Sequence, residues 1–514
     1  MATDAPRRWP LLLIALASAA LYAGSLRAGF VYDDAHTILR NPGVTGPFSL
    51  RAIFARDFWG EPLRSAESLG SYRPVTTLTF WLDHHLGHGS PVAFHVDNLA
   101  LFAALLIALD RLLRAWLGGA LDERARALAL ATFAVLATHT EVVSNATGRA
   151  EILALLFSAI ALTAALAAPR VGSLATVAIV LVLAMGSKES AYPIALLAPV
   201  LAYRAGEPGG RARAAKVGAV STIVLLGALI LRARLIGRFG RDDLQMHFDN
   251  PLVFAPFGRR VLGGLEVVTH YLQHTATGID LCPDYSYSAI SLSSGPSMRS
   301  LIGVAFYAAG LFGLVASWRR RPRLAEAIAG FFAAYVAVSQ MLLPAIVLVA
   351  DRLFFAPSFF LVVVAALLVG AAIERRGAAR ARLVGLVAAA FVAEQALMSA
   401  LLEPAWRTNL ALTSYGVRTC PNVIRLRIER IHAARAAGQI EEGAWNALAA
   451  ATLLSQYPRP VDDDFLPAEE QPFEERVVAL QRKLGPAFGG VRAQAAVIAE
   501  NVRYPEAVRA LGGR

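Results

Sequence analysis

Leu11-Leu-Leu-Ile-Ala-Leu-Ala-Ser-Ala-Ala-Leu-Tyr-Ala23 is followed almost at once by Gly29-Phe-Val-Tyr-Asp-Asp-Ala-His36. The first stretch carries no charge and reads as the centre of a bilayer-crossing helix, which needs about 20 predominantly apolar residues. The second sets two adjacent carboxylates, Asp33 and Asp34, just beyond that helix. Carboxylates are costly in an apolar neighbourhood, so such a pair is either solvated at the interface or used in chemistry. From the residues alone an interfacial cap or turn is an equal reading, because Asp often starts helices.

Outward from this stretch, apolar runs of similar length recur along the whole chain. The 514 residues are 56% apolar and 17% charged, against about 25% charged in a soluble protein. Mean hydropathy is +0.50. The composition predicts an all-α polytopic membrane protein. Candidate spans are 9–26, 93–116, 126–142, 148–168, 171–187, 190–204, 216–235, 299–318, 324–345, 356–373 and 383–402, eleven in all. Arg7 and Arg8 before the first run also suit a signal peptide. With ten further spans following, the run is expected to stay as the first of them.

The net charge of +11 is not a nucleic-acid signal, because much of it sits in short turns between spans. Arg7 and Arg8, then Arg204, Arg211, Arg213 and Lys216, then Arg319, Arg320, Arg321 and Arg323, then Arg375, Arg376, Arg380 and Arg382 all fall on one predicted side. Basic turns face the cytoplasm, so the N-terminus is expected inside, the C-terminus outside, in a membrane of inner-membrane type. Segment 257–282 is apolar enough to be a twelfth span, yet counting it would put Arg319 to Arg323 outside. It reads instead as an interfacial or re-entrant helix. The expected organisation is a transmembrane unit, 1–402, with outer loops 28–91 and 237–298, and an outer tail, 403–514. The tail shows one tetratricopeptide-like unit near 421–458, turning at Gly438. At least three such units make a self-supporting solenoid, so the tail is expected to pack on the outer loops.

Several polar groups share the predicted outer side: Tyr72 and Arg73, His95, His139 and Glu141, Arg149 and Glu151, Lys188 and Glu189, Asp284 and Tyr285, Asp351 and Arg352. Ionisable groups converging at one membrane face make a partly desolvated cavity, a functional site by default. Each also has a plainer reading. His139 and Glu141 suit either a divalent cation or a hydrogen-bonded pair, and two ligands define no metal site. No cofactor is indicated. Arg149 and Glu151 suit interface anchors, and Lys188-Glu189 suits a local ion pair. Asp284 and Tyr285 suit a loop fold, and His95 suits a buried, satisfied histidine. Lys188 and Arg352 are equally open to phosphate contact. Cys282 and Cys420 both lie outside, where a disulfide is permitted.

The ordered series Tyr32-Asp-Asp34, Tyr72-Arg-Pro74, His95, His139-x-Glu141, Gly148-Arg149, Lys188-Glu189, Asp249-Asn-Pro251, Pro283-Asp-Tyr-Ser286 and Asp351-Arg352 resembles the transmembrane and tetratricopeptide-repeat O-mannosyltransferases, of the GT-C superfamily. The resemblance covers roughly residues 10–410. It departs in the short tail and in Asp351, where the family pattern has a glutamate. It implies an enzyme moving a sugar, mannose by the family's example, from a polyprenyl-phosphate donor to a protein Ser/Thr hydroxyl, outside the cytoplasm. Such a hydroxyl needs a base in the transition state, and the phosphate leaving group needs cations rather than an acid. Arg73, Arg149, Lys188 and Arg352 are the cations at hand; attack opposite the leaving group inverts the anomeric centre. Sequence neighbours do not point the same way, so one aspartate faces the site. The superfamily's acidic pair implies Asp33. A lipid or glycan acceptor, and a carrier or flippase for an anionic lipid-linked sugar, are the alternatives. No internal repeat of the kind common in transporters appears, and the charges gather at one face rather than the midplane.

Overall fold

The computed structural model describes residues 9–453 except 66–67, 168–169, 205–208, 238–249, 254, 287–288, 343, 375–377, 440–441, 444, 447–448 and 451–452. The protein is an all-α polytopic membrane protein. Its helices run α1 Trp9–Leu21, α2 Pro42–Thr45, α3 Leu50–Phe54, α4 Pro74–Leu86, α5 Pro91–Leu117, α6 Glu123–Val135, α7 Thr140–Ser144, α8 Arg149–Leu166, α9 Val171–Ser187 and α10 Ala191–Ile194. They continue as α11 Leu197–Arg204, α12 Gly210–Ile236, α13 Phe257–Thr277, α14 Met298–Arg320, α15 Pro322–Tyr335, α16 Phe355–Glu374, α17 Ala378–Leu402, α18 Asn409–Thr419 and α19 Ile424–Ala436.

Local chemistry explains the ends. Prolines open α2, α4, α5 and α15, where a missing N–H costs nothing. Asp122 and Thr408 accept backbone N–H groups at the starts of α6 and α18. Ser297 and Ser300 form a reciprocal capping box on α14.

Seven helical stretches among the described residues are long and apolar enough to cross a membrane. The bent pair Glu123–Val135 and Ala137–Ser144, turned by 53°, makes an eighth candidate. The remaining three of the eleven expected spans, 171–187, 190–204 and 324–345, fall below that length. Each of the other segments is helical but short. α9 has 17 residues. Segment 190–204 breaks into α10 and α11. α15 ends after 14 residues, because the chain beyond it wraps the Gln340 side chain, which bonds Ala345, Val347 and Leu348. The break after α6 strands backbone groups that an apolar surround cannot satisfy. α17 supplies the partners: Gln395 accepts from Ala137 N–H, and Ser399 donates to Val135 C=O. Segment 257–282 forms the one-sided α13, which is not among the spanning helices and buries Gly263, Val267 and Tyr271.

The core lies between α5, α6, α8 and α16, with Phe102, Leu109, Trp116, Phe133, Leu155, Phe355 and Phe359 buried. Charge divides along the helices. Arg124 and Arg126, Arg211 and Lys216, and Arg319 to Arg323 occupy the end of the bundle where α6 and α12 begin and α14 gives way to α15. The first loop, α13 and the described tail gather at the opposite end. There Gly29 N–H donates to Arg407 C=O, Tyr415 donates to Leu281 C=O at 2.8 Å, and a disulfide joins Cys282 to Cys420. The start of the tail thus packs on loops 28–91 and 237–298. Most of that unit's second half, and all of the tail beyond 453, lie outside the described residues.

Candidate functional site

The two aspartates part company at once. Asp34 is fully buried. One oxygen accepts Val31 N–H at 2.9 Å and the other accepts Thr147 N–H at 3.1 Å, so the side chain ties the first loop to the turn before α8. Burial pushes its carboxyl up to about 7, against the pull of those two N–H groups. Asp33 faces the opposite way. Its side chain is 23% exposed and lies 3.8 Å from the Arg352 guanidinium.

Arg352 is the hub of this opening. It pairs with Glu141 as well as facing Asp33, and its own N–H reaches the same glutamate. Asp351, its neighbour, points inward and is fixed from two sides. His274 of α13 lies 2.9 Å from one oxygen, and the Tyr285 hydroxyl donates to the other at 2.6 Å. Tyr285 in turn accepts Cys282 N–H at 2.7 Å, so loop 237–298 is anchored beside the start of α16. Burial, with Asp351 beside it, pushes the Tyr285 phenol well above its ordinary value and keeps it a donor. Asp284 accepts from Tyr32 and lies 3.7 Å from Arg425 of α19. Burial would raise its carboxyl, but Arg425 and Tyr32 hold it below the usual range.

A second cationic group stands beside the first. Arg73 meets Glu189 at 2.9 Å, and Arg232, near the end of α12, meets the same glutamate at 3.3 Å. Burial notwithstanding, the two arginines hold the Glu189 carboxyl down to about 2. Lys188 turns away from Glu189 and pairs with Glu151 at 2.6 Å; Ser190 donates to that glutamate as well. Burial pushes the Lys188 ammonium down, with Glu151 opposing. In place of a local Lys188-Glu189 pair there are two longer-range pairs. Tyr72 donates to Phe54 C=O at 3.2 Å, and Arg73 lies over the Phe58 ring, which stiffens the segment that presents Arg73.

Two of the plainer readings do not describe the fold. His139 and Glu141 are not partners: His139 lies 2.9 Å from Ser358 between Phe133 and Phe355, while Glu141 turns to Arg352. Arg149 and Glu151 are not interface anchors, since both are buried. Arg149 pairs with Asp83 and donates to Asn98 and Phe94 C=O, each at 2.8 Å. It stands behind the opening rather than in it. His95 is buried beside it, close to the Gly29 backbone. Asp249 lies outside the described residues. Side-chain exposure ranks the four expected cations: Arg352 25%, Arg73 16%, Lys188 7% and Arg149 0%. Four contributors were missed in the sequence: Arg232, His274, Arg425 and Asp83. Arg232 alone carried a signal, as a charge near the end of an apolar run; nothing local marks the others.

The chain's relatives match what the motif series implied. Over 422 residues, 80% of its length, it is 27% identical to a Caenorhabditis elegans protein O-mannosyl-transferase, of which this covers 58%. Over 145 residues it is 38% identical to protein O-mannosyl-transferase TMTC3 of Mus musculus, which is 28% of this chain and 15% of that one. Over 163 residues it is 36% identical to mouse protein O-mannosyl-transferase TMTC4, 30% of this chain and 22% of the relative. The chain thus spans little more than half of the first relative and a small part of the others. No family model and no solved structure matches it.

Proposed function

We propose that this chain transfers a sugar, mannose by the name its relatives carry, from a polyprenyl-phosphate donor to a protein Ser or Thr hydroxyl. Asp33 is the general base, and Arg352 and Arg73 meet the donor phosphate, with Lys188 behind them. Transfer takes place on the extracytoplasmic face and inverts the anomeric centre. The observation that carries this reading is the pairing of a partly exposed carboxylate with a partly exposed guanidinium, Asp33 and Arg352, 3.8 Å apart. An acceptor hydroxyl needs the first in the transition state. A departing lipid phosphate needs the second, placed before the charge develops. Asp34, buried and bonded to two backbone N–H groups, has no free face for either task. The basic turns at the far end of the bundle support an outward-facing site.

The test is transfer from polyprenyl-phosphate mannose to Ser/Thr peptides by the purified full chain in lipid nanodiscs. Mannosylated peptide with the wild type and none with Asp33→Asn is the expected result. Mannosylation undiminished in Asp33→Asn, or none with the wild type, would refute the assignment.

A further inference from the structure

Tyr32 precedes Asp33 and has a φ of +53°. Left-handed backbone is uncommon outside glycine and, in a bulky residue, persists only where the surroundings over-determine it. They do so here. The Tyr32 N–H donates to the Asn409 side chain at 2.8 Å, at the start of α18. Its hydroxyl donates to Asp284 of the second outer loop. Asp284 is itself held by Ser286 N–H at 2.7 Å and by Arg425 of α19. The Cys282–Cys420 disulfide fastens the same loop to the same part of the tail. Three segments remote in sequence therefore meet on one residue, and its neighbour is the carboxylate that faces Arg352.

We infer that Tyr32 is a positioning residue: the tail, through Asn409, and the second loop, through Asp284, clamp its left-handed backbone and so aim the Asp33 carboxylate at Arg352. The inference rests on the reading of Asp33 as the base. It makes α18 a working part of the site rather than an appendage. Without the clamp, Tyr32 relaxes toward ordinary backbone angles, and the Asp33 side chain turns away from the cation. Asp34 stays where it is, pinned by Val31 and Thr147, so the loop keeps its place while Asp33 loses its aim.

The chain has two cysteines and they pair with each other, which leaves an introduced cysteine as the reactive thiol. The rate of maleimide modification of Asp33→Cys reports the exposure of that side chain without any need for catalysis. Adding Tyr32→Phe or Asn409→Ala is expected to change the rate on the order of fivefold, the population shift that one lost hydrogen bond produces. The control thiol Leu86→Cys, at the end of α4 and 79% exposed, is expected to keep its rate. In chains with Asp33 intact, the same two substitutions are expected to lower kcat about tenfold and leave the KM for donor and acceptor near normal, as loss of alignment does. An unchanged rate at position 33 overturns the inference. So does an equal change at position 86, which would mean that the bonds hold the fold and not the carboxylate. A shifted rate at position 33 alone, in a protein whose wild type transfers no sugar, supports the clamp and refutes the proposed reaction.

Discussion

Lys188 and Glu151 offer the sharpest energetic test of the site. Their charged atoms are 2.6 Å apart, and the side chains are 7% and 1% exposed. Neither charge has water to fall back on. Removing one partner of such a pair leaves a buried charge uncompensated, at a cost of about 3–5 kcal/mol. Glu151→Gln and Lys188→Met should each show that loss. The two losses would not add. Lys188→Met with Glu151→Leu removes both charges together and replaces them with apolar groups of similar volume, which is often neutral. The expected cycle is two large single effects and a double variant that loses less than either, with only the Ser190 hydroxyl deprived of its acceptor. SDS titration of the purified chain in mixed micelles, followed by tryptophan fluorescence, measures all four corners. Single variants that each lost less than about 1 kcal/mol would refute the reasoning, because that is the behaviour of a solvated surface pair. The cycle also bears on donor binding. If Lys188 serves mainly to neutralise Glu151, the double variant keeps most of its affinity for the lipid phosphate, and Arg352 and Arg73 carry that contact.

Asp33→Asn should lower turnover by at least about two orders of magnitude, the usual range for general base catalysis, and leave donor binding intact; Asp34→Asn should lower it less. Steady-state transfer with parallel donor-binding titrations separates the two. Arg352→Ala should raise the donor KM more than Lys188→Met does, because its guanidinium is the more exposed; equal effects would refute the exposure ranking. Because burial raises the Asp34 carboxyl to about 7, its contribution to stability is present in full below the ordinary aspartate range and is lost as pH rises through about 7. Denaturation midpoints measured from pH 4 to 8 should fall with pH from this group, and Asp34→Asn should flatten that part of the curve. Asn422→Cys should label with an impermeant maleimide in intact cells while Arg320→Cys stays protected; the reverse pattern would place the site in the cytoplasm.

Much of the architecture was legible along the chain. Apolar runs and basic turns are local signals, because a bilayer imposes length and charge rules on each segment separately. They located the long helices α5, α8, α12, α14, α16 and α17 within a few residues. They also marked 257–282 as something other than a span. They failed where a helix is broken from outside. Nothing between Glu123 and Ser144 announces a bend of 53°, since the groups that accept it are Gln395 and Ser399 on a helix some 260 positions later. The early end of α15 has the same origin in the side chain of Gln340.

The sequence by itself determined the membrane class, the long helices and the set of polar residues gathered at one end of them. It also limited the proposed base to one of two adjacent aspartates, since neighbours cannot face the same way. Which one faces the opening, and which charge answers which, was decided only by the tertiary structure. Glu151 reaches past Glu189 to Lys188, Glu189 turns to Arg73 and Arg232, Glu141 leaves His139 for Arg352, and Arg149 withdraws to Asp83. The physical reason is that a buried charge must find an opposite charge or a hydrogen bond in three dimensions, at whatever sequence distance the fold supplies it. Adjacency in the chain fixes which residues share an end of the bundle, but not how they pair.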